Sequence, residues 1–467
     1  MRVLLISANR ESTPYPVAPL GIAYIGAALK AQGHEVTAAD LCFSSPPSAP
    51  PSGEDNLHSL LKNFSPQVIG ISVRNLDNLT YPLSVSYLDE VEAVVKLCRE
   101  SSSAPIVLGG SGYSLAPGAL LDYWGADFGI MGEGEGAFPW LLEALGAGRP
   151  WEGVPGLVYR RNGAIETNPP AVIKDLDALS RPDRSLLDNR AYLERGGMGN
   201  LQTKRGCPFG CIYCTYPLLE GRHFRLRKPR AVAREMAEGF ENFGINYFYI
   251  VDNTFNCPPE HAKAVCREII RLNLPLRWTG FIHPHFFDRE LLELMVKAGC
   301  QEFEFGTDSG AASMLTTLQR GVEPADIEKV SALCHGAGAS FCHYLLLGGP
   351  GETLDTVKAT LDLMEKVKPH AVIAMLGIRI YPGTSLAKLA VKEGMIAEDD
   401  PLIYPRFYLS PFLEESLLPL MEDYAARHRH WVIPGLNAGV SQKIMELLRK
   451  WGKRGPLWKL LGEMGRR

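Results

Sequence analysis

Short apolar runs, each followed by a longer stretch of helical spacing, recur along most of this chain. Runs at residues 3–6, 34–40, 68–73, 106–111 and 128–135 read as buried strands. Residues 20–30 form a helix of small and apolar residues ended by Gly33, and residues 84–99 form another. Strand and helix alternating in this way predict a doubly wound, Rossmann-like parallel sheet with ligands outside the strand C-termini. A second series follows, with strands at 247–252, 276–281, 302–306, 339–347 and 372–380 and helices at 259–272, 289–298, 311–319 and 354–367. With a strand just before residue 204, this makes about six β/α units, a partial barrel whose site lies at the strand C-termini. Between the two series, residues 156–165 alternate like a hairpin turning at Asn162-Gly163, and Pro169, Pro170 and Pro182 mark an extended crossing segment. The hairpin reads as a hinge. After Asp400 the rhythm stops. The chain is therefore α/β, divided into 1–145, a linker 146–194, a barrel 195–395 and a small, mainly helical C-terminal region 396–467.

Composition narrows the class. The 467 residues are 46% hydrophobic and 21% charged, as in a globular protein with a sizeable core. No apolar run is long enough to span a membrane, and the N-terminus reads as a strand without a signal cleavage site. The net charge of −4 gives no general affinity for nucleic acid. Ten scattered cysteines, three of them clustered, fit a reducing cytoplasm better than a disulfide framework.

The clustered thiols carry the chemistry. Lys204-Arg205-Gly206-Cys207-Pro208-Phe209-Gly210-Cys211-Ile212-Tyr213-Cys214 places them at C-x3-C-x2-C in one short loop. Soft thiolates at this spacing suit a [4Fe–4S] cluster, leaving one iron without a protein ligand. A structural zinc site would call for a fourth ligand nearby, and the next candidates are His223 and Cys257.

With its aromatic before the last cysteine, this motif resembles the radical S-adenosylmethionine (SAM) superfamily. The resemblance implies that Cys207, Cys211 and Cys214 hold the cluster, that Tyr213 packs near the adenine, and that the open iron chelates SAM. Val251-Asp252-Asn253-Thr254 stands where that family binds the methionine amino group. Glu304-Phe305-Gly306-Thr307-Asp308-Ser309-Gly310 resembles the stretch meeting ribose and carboxylate. Leu347-Gly348-Gly349-Pro350-Gly351-Glu352-Thr353 and Tyr381-Pro382-Gly383-Thr384 resemble two later turns of the same family, in the same order. Asp252, Asn253, Glu304, Asp308 and Ser309 are thus the expected SAM contacts.

The first series resembles the cobalamin-binding domain that precedes the radical domain in one subgroup. Its matching pieces are Pro19-Leu20-Gly21, the strand end Gly109-Gly110-Ser111, and Gly132-Glu133-Gly134-Glu135. The D-x-H-x-x-G motif of mutases is absent, so no histidine is expected on cobalt. Arg74, beside Asn75, follows the third strand. It either faces the lower side of cobalt, where a cation disfavours coordination, or pairs with Asp77 or Asp40.

Other candidates are less specific. His283 and His285 follow a strand and have a suitable pKa for acid–base work, although an adjacent structural role is favoured. Cys257 and Cys342 are candidate thiols among cysteines that otherwise read as core. Arg227 suits a cofactor contact or a solvated face. Aromatics around Tyr404 are expected to cover the barrel mouth, and together with Trp431 and the basic amphipathic tail from Ser441 they favour a lipid or other apolar substrate. That tail reads as a helix docked on its own domain before it reads as peripheral membrane contact.

The resemblance implies a cobalamin-dependent radical SAM methyltransferase acting on an unactivated carbon. One SAM would methylate cob(I)alamin, and a second would yield the 5′-deoxyadenosyl radical that takes a hydrogen atom from the substrate. The carbon radical would then collect the methyl group, with electrons from a flavodoxin or ferredoxin. The alternatives are a cobalamin enzyme performing cyclisation, ring contraction or oxidation, an RNA-modifying radical enzyme without cobalamin, and a non-catalytic metal-binding module.

Overall fold

The computed structural model describes residues 1–13, 15–43, 54–436, 455, 456, 458 and 459. Two seven-stranded sheets organise it. In the first, β1 (Arg2–Ser7), β2 (Glu35–Asp40), β3 (Val68–Ser72), β4 (Ile106–Gly109) and β5 (Phe128–Ile130) run parallel in the order β2-β1-β3-β4-β5. Side chains alternate across the sheet, so Leu4 and Ile6 join one buried cluster while Val3 and Leu5 join another on the opposite face. Helices Leu20–Ala31 and Gly134–Ala147 cover the second face, and Leu88–Ser101 and Pro117–Trp124 the first. Gly70 of β3 lies under Phe138, whose ring would stand 2.8 Å from an added Cβ.

The expected hairpin is β6 (Leu157–Arg161) and β7 (Ala164–Thr167), with its turn at Asn162-Gly163. It does not hang between domains as a hinge. Its first strand pairs antiparallel with β5, Phe128 opposite Tyr159, and so completes the first sheet. The first sheet thus gains two strands from a segment read as linker.

The second sheet is parallel throughout. Its strands are β8 (Gly199–Leu201), β11 (Tyr247–Ile250), β12 (Arg277–Ile282), β13 (Glu302–Asp308), β14 (Ser340–Leu347), β15 (Ala371–Leu376) and β18 (Trp431–Val432). The first six are the expected barrel strands, and β18 is a seventh drawn from the C-terminal region. Two short ribbons complete the set: β9 (Lys204–Arg205) with β10 (Arg225–Leu226), and β16 (Ile378–Arg379) with β17 (Phe407–Tyr408). The run expected at 372–380 is broken at Gly377, whose φ of 65° turns the chain from β15 into β16. Phe248, Trp278, Phe303 and Phe305 are fully buried between sheet and helices. Each such side chain contributes roughly 1.5–3 kcal/mol by leaving water.

Two barrel helices were absent from the sequence reading, Pro229–Phe243 and Pro324–Ala337. The second had a readable start: Glu323 and Asp326 form a reciprocal capping box around Pro324. Tyr404 and Trp431 are both engaged away from the barrel mouth. Tyr404 bonds Tyr123 of the first domain, hydroxyl to hydroxyl at 2.9 Å, and Trp431 is buried in β18. Most of the basic tail lies outside the described residues. Within it, Trp458 is buried in the barrel lumen, and Lys459 pairs with Glu302 at 2.6 Å.

Candidate functional site: a cavity shared by two domains

A cavity of about 650 Å³ opens at the C-terminal ends of β1, β3, β4 and β5. Leu20, Arg74, Asn75, Gly109, Gly110, Ser111 and the turn Gly132-Glu133-Gly134-Glu135 line it. Its far wall comes from the second domain: Asn200, Gln202 and Arg205, then Thr215, Tyr216, Leu219 and Glu220 beside the cysteine loop, and Tyr381. The sequence reading missed this wall because those residues meet the first domain only through tertiary structure. An added Cβ on Gly21 would meet nothing within 4 Å, and one on Gly109 only a carbonyl oxygen at 3.9 Å. Both glycines leave the cradle open to a large flat group such as a corrin. Gly110 has a different role: with φ at 100°, its Cβ would strike the Val73 carbonyl oxygen at 2.5 Å.

Arg74 pairs with neither Asp77 nor Asp40. It donates to the Val17 carbonyl and to Asn9 Oδ1, both at 3.2 Å, and burial pulls its pKa below the ordinary value. Asp77 instead holds Arg379 at 2.9 Å, a buried bridge between the domains. A fixed cation thus lines the cavity and offers cobalt no lone pair.

The cysteine loop springs from β9 and returns at β10. Gly206 starts it with φ at 88°, in a place where a Cβ would lie 2.1 Å from the His223 carbonyl oxygen. Backbone bonds from Cys207 to Gly221 (2.9 Å) and from Ile212 to Leu318 (3.2 Å) hold its two sides. All three thiols are free and interact electrostatically with one another. Burial pushes Cys214 up to about 12, so a bound iron cluster would be needed to hold it as thiolate. Among the described residues, no three His, Cys, Asp or Glu side chains converge as they would on a single metal ion. The wider spread of a cluster fits three free thiols carried on one short loop.

The expected SAM residues divide. Tyr213 donates its hydroxyl to Asp308, which also pairs with Arg320 at 3.0 Å. Asp308 sits at a bulge of β13 with φ at 67°, a conformation that stores strain in a non-glycine residue. Arg320 was not foreseen; it donates to the Gly306 carbonyl at 2.5 Å and lies 4.0 Å from the Cys211 sulfur. Asn253 Nδ2 donates to the Gly206 carbonyl at 2.7 Å, while its buried Oδ1 has no partner. That oxygen is placed to accept from an ammonium group.

The other three are engaged elsewhere. Asp252 accepts from the Thr203 N–H at 2.7 Å and pairs with the buried Lys204 at 2.8 Å, so it roots the cysteine loop. Ser309 is fully buried against Thr360 at 3.0 Å and caps Ala311. Glu304 lies deeper in the lumen, accepting from Tyr249 (2.9 Å), Tyr344 (3.3 Å) and Trp458 (3.0 Å), with burial raising its pKa.

The catalytic candidates also move. His283 is buried between Phe209 and Phe286, each 5.0 Å away, with neither ring nitrogen bonded. Burial pushes it down to about 3, so the ring is uncharged at neutral pH. His285 is exposed and meets Asp326 at 3.1 Å, outside the site. Cys342 is buried in the lumen and Cys257 beside Lys204, and burial raises both thiols. Arg227 contacts neither solvent nor the cavity. It pairs with buried Glu235 at 2.8 Å and reaches the Tyr24 hydroxyl at 3.3 Å.

Known proteins share both halves of this arrangement. Residues 6–142 match the B12 binding domain, and residues 201–364 the radical SAM superfamily. A tryptophan 2-C-methyltransferase of Streptomyces laurentii is 29% identical, over 84% of this chain and 74% of its own. A cytidylyl-2-hydroxyethylphosphonate methyltransferase of Streptomyces wedmorensis is 24% identical over 86% and 84%. The solved radical SAM methyltransferase TsrM from Kitasatospora setae, with cobalamin and a [4Fe–4S] cluster bound, superposes with a TM-score of 0.86. It is 26% identical and covers 100% of this chain and 98% of that one. With a B12 domain followed by a radical SAM domain, the chain belongs to the cobalamin-dependent radical SAM methyltransferase family. Its cofactors are a [4Fe–4S] cluster, SAM and cobalamin, and it requires a reductant. Among the described residues, no helix is long and apolar enough to cross a membrane.

Proposed function

We propose that this enzyme methylates an unactivated carbon after a hydrogen atom has been taken from it by a SAM-derived radical. The observation that carries the reading is the shared cavity, whose first wall is the cobalamin cradle and whose second adjoins the cysteine loop. When bound, the cluster supplies reductive cleavage of SAM and cobalamin supplies methyl carriage. Cys207, Cys211 and Cys214 would hold the cluster. Asn253 Oδ1 would accept from the SAM ammonium, and the pair Tyr213–Asp308, steadied by Arg320, would meet its ribose or carboxylate. Arg74 would keep a cation beneath the corrin, and Gly21 and Gly109 would admit its face.

The substrate would lie between the two cofactors, with the barrel lumen beneath it. Around Glu304 that lumen is lined by Tyr15, Tyr249, Phe281, Tyr344 and Trp458. Aromatic walls there favour a substrate that carries a flat apolar ring. A flavodoxin or ferredoxin would deliver the electrons. The test is anaerobic reconstitution with iron, sulfide and cobalamin, followed by mass spectrometry of SAM products in the presence of candidate substrates. S-adenosylhomocysteine together with 5′-deoxyadenosine supports the reading. 5′-Deoxyadenosine alone indicates radical chemistry without methyl transfer, and S-adenosylhomocysteine alone indicates transfer without the radical; either refutes it.

A further inference from the structure

The turn Gly132-Glu133-Gly134-Glu135 lines the cobalamin cavity, yet its two carboxylates are engaged with arginines of the second domain. Glu135 meets Arg205 at 2.5 Å; Glu133 meets Arg205 at 3.4 Å and Arg225 at 2.6 Å. Each of these four side chains is at most 11% exposed. Arg205 and Arg225 stand directly opposite each other in the β9–β10 ribbon, the ribbon that opens and closes the cysteine loop. Like charges facing across a strand pair repel, so the ribbon is completed by two carboxylates from the other domain.

The two residues of β9 point opposite ways, as neighbours in a strand do. Lys204 turns into the barrel, to Asp252 at 2.8 Å and the Phe255 carbonyl at 3.0 Å. Arg205 turns to the cobalamin domain and also lies over the Tyr24 ring at 5.5 Å. Cys207 stands two residues further along the chain. A shift of Arg205 against Glu133 and Glu135 would therefore move the root of the cluster loop relative to the cavity wall.

We infer that Arg205, with Glu133, Glu135 and Arg225, is a positioning device that sets the separation between the cluster and the corrin. Arginine suits the task because its planar fork fixes direction as well as distance, which a lysine ammonium does not. The inference rests on the assignment of both cofactors, not on where the methyl group goes. A misplacement of about 1 Å between reacting groups costs on the order of 10²-fold in rate.

The experiment uses the reconstituted full chain carrying cob(II)alamin and the reduced cluster, with their spin–spin interaction read by pulsed electron paramagnetic resonance. The variants are Glu135→Gln, Arg205→Lys and the reversed pair Arg205→Glu with Glu135→Arg. For the first two, the expected result is full cofactor content with a broadened or shifted interaction. Product formed per 5′-deoxyadenosine should fall at least about tenfold, and the reversed pair should restore the sharp interaction in part. A parental interaction and parental product ratio in Arg205→Lys, with only a lower melting temperature, would overturn the inference. If Glu135→Gln fails to hold cofactors, Arg205→Lys alone decides. Because the spin measurement needs no substrate, it stands even if the parent enzyme forms no methylated product.

Discussion

Asp252→Asn changes a buried carboxylate to an amide of nearly the same size, and the surroundings of that carboxylate set the cost. Lys204 and Asp252 are at most 1% exposed and lie 2.8 Å apart. The same carboxylate accepts from the Thr203 N–H (2.7 Å), the Thr203 hydroxyl and the Lys204 N–H (3.4 Å). After substitution the Lys204 ammonium keeps the Phe255 carbonyl (3.0 Å) and the Thr203 hydroxyl (3.3 Å) but loses its anionic partner. Removing one partner of a buried pair costs about 3–5 kcal/mol, because the remaining charge is left uncompensated. At a urea slope of about 2 kcal/mol per molar, a loss of about 4 kcal/mol lowers the midpoint by about 2 M. The chain has two domains, so fluorescence and cluster absorbance should be followed separately. The cluster signal should be lost first, since this pair roots the cysteine loop. The double variant Lys204→Met with Asp252→Leu should recover much of the loss. A change below about 1 kcal/mol in Asp252→Asn, or simple addition of the two single-variant losses, would refute the reasoning.

Three further outcomes are expected. Burial pushes Glu352 up to about 7 from its ordinary 4.5, despite accepting from the Gly348 and Gly349 N–H groups. The folded state therefore holds this proton more tightly, so the group's stabilisation is full below about pH 4.5 and is lost as pH rises through about 7. The loss is about 3 kcal/mol; Glu352→Gln should flatten that part of the urea stability profile between about pH 5 and 8, and parallel profiles would contradict it. Gly109→Leu adds a side chain into the open cradle, so the chain should fold while cobalamin retained after dialysis falls at least about tenfold, an overpacking effect. Unchanged retention would place the corrin elsewhere. His283→Phe keeps the stack with Phe209 and Phe286 and removes an imidazole that is uncharged at neutral pH. Turnover should stay within about twofold, and a loss of about 10²-fold or more would make the imidazole an acid–base group.

How much was legible in the sequence depends on the range of the interactions involved. The cysteine loop, the glycine strand ends and most strands were legible because local spacing and periodicity encode them. The roles of Asp252 and Ser309 were not, since both side chains are claimed by residues far along the chain, Lys204 and Thr360. Arg320 gave no signal, because only the barrel brings it to Cys211 and Asp308. Glu133 and Glu135 line the cavity, but their arginine partners stand some seventy or more residues away. Helix Pro324–Ala337 is a different case: its start is encoded locally, by the capping box of Glu323 and Asp326 around Pro324.

The central claim is that two cofactors share one cavity between the two domains. Crystals of the reconstituted enzyme, measured at the iron and cobalt absorption edges, test it most directly. The account places iron at Cys207, Cys211 and Cys214, and cobalt in the cavity between the ends of β3 and β4 and the wall formed by Tyr216 and Tyr381. Cobalt bound outside that cavity, or a single metal ion in place of a cluster at the three cysteines, would contradict it.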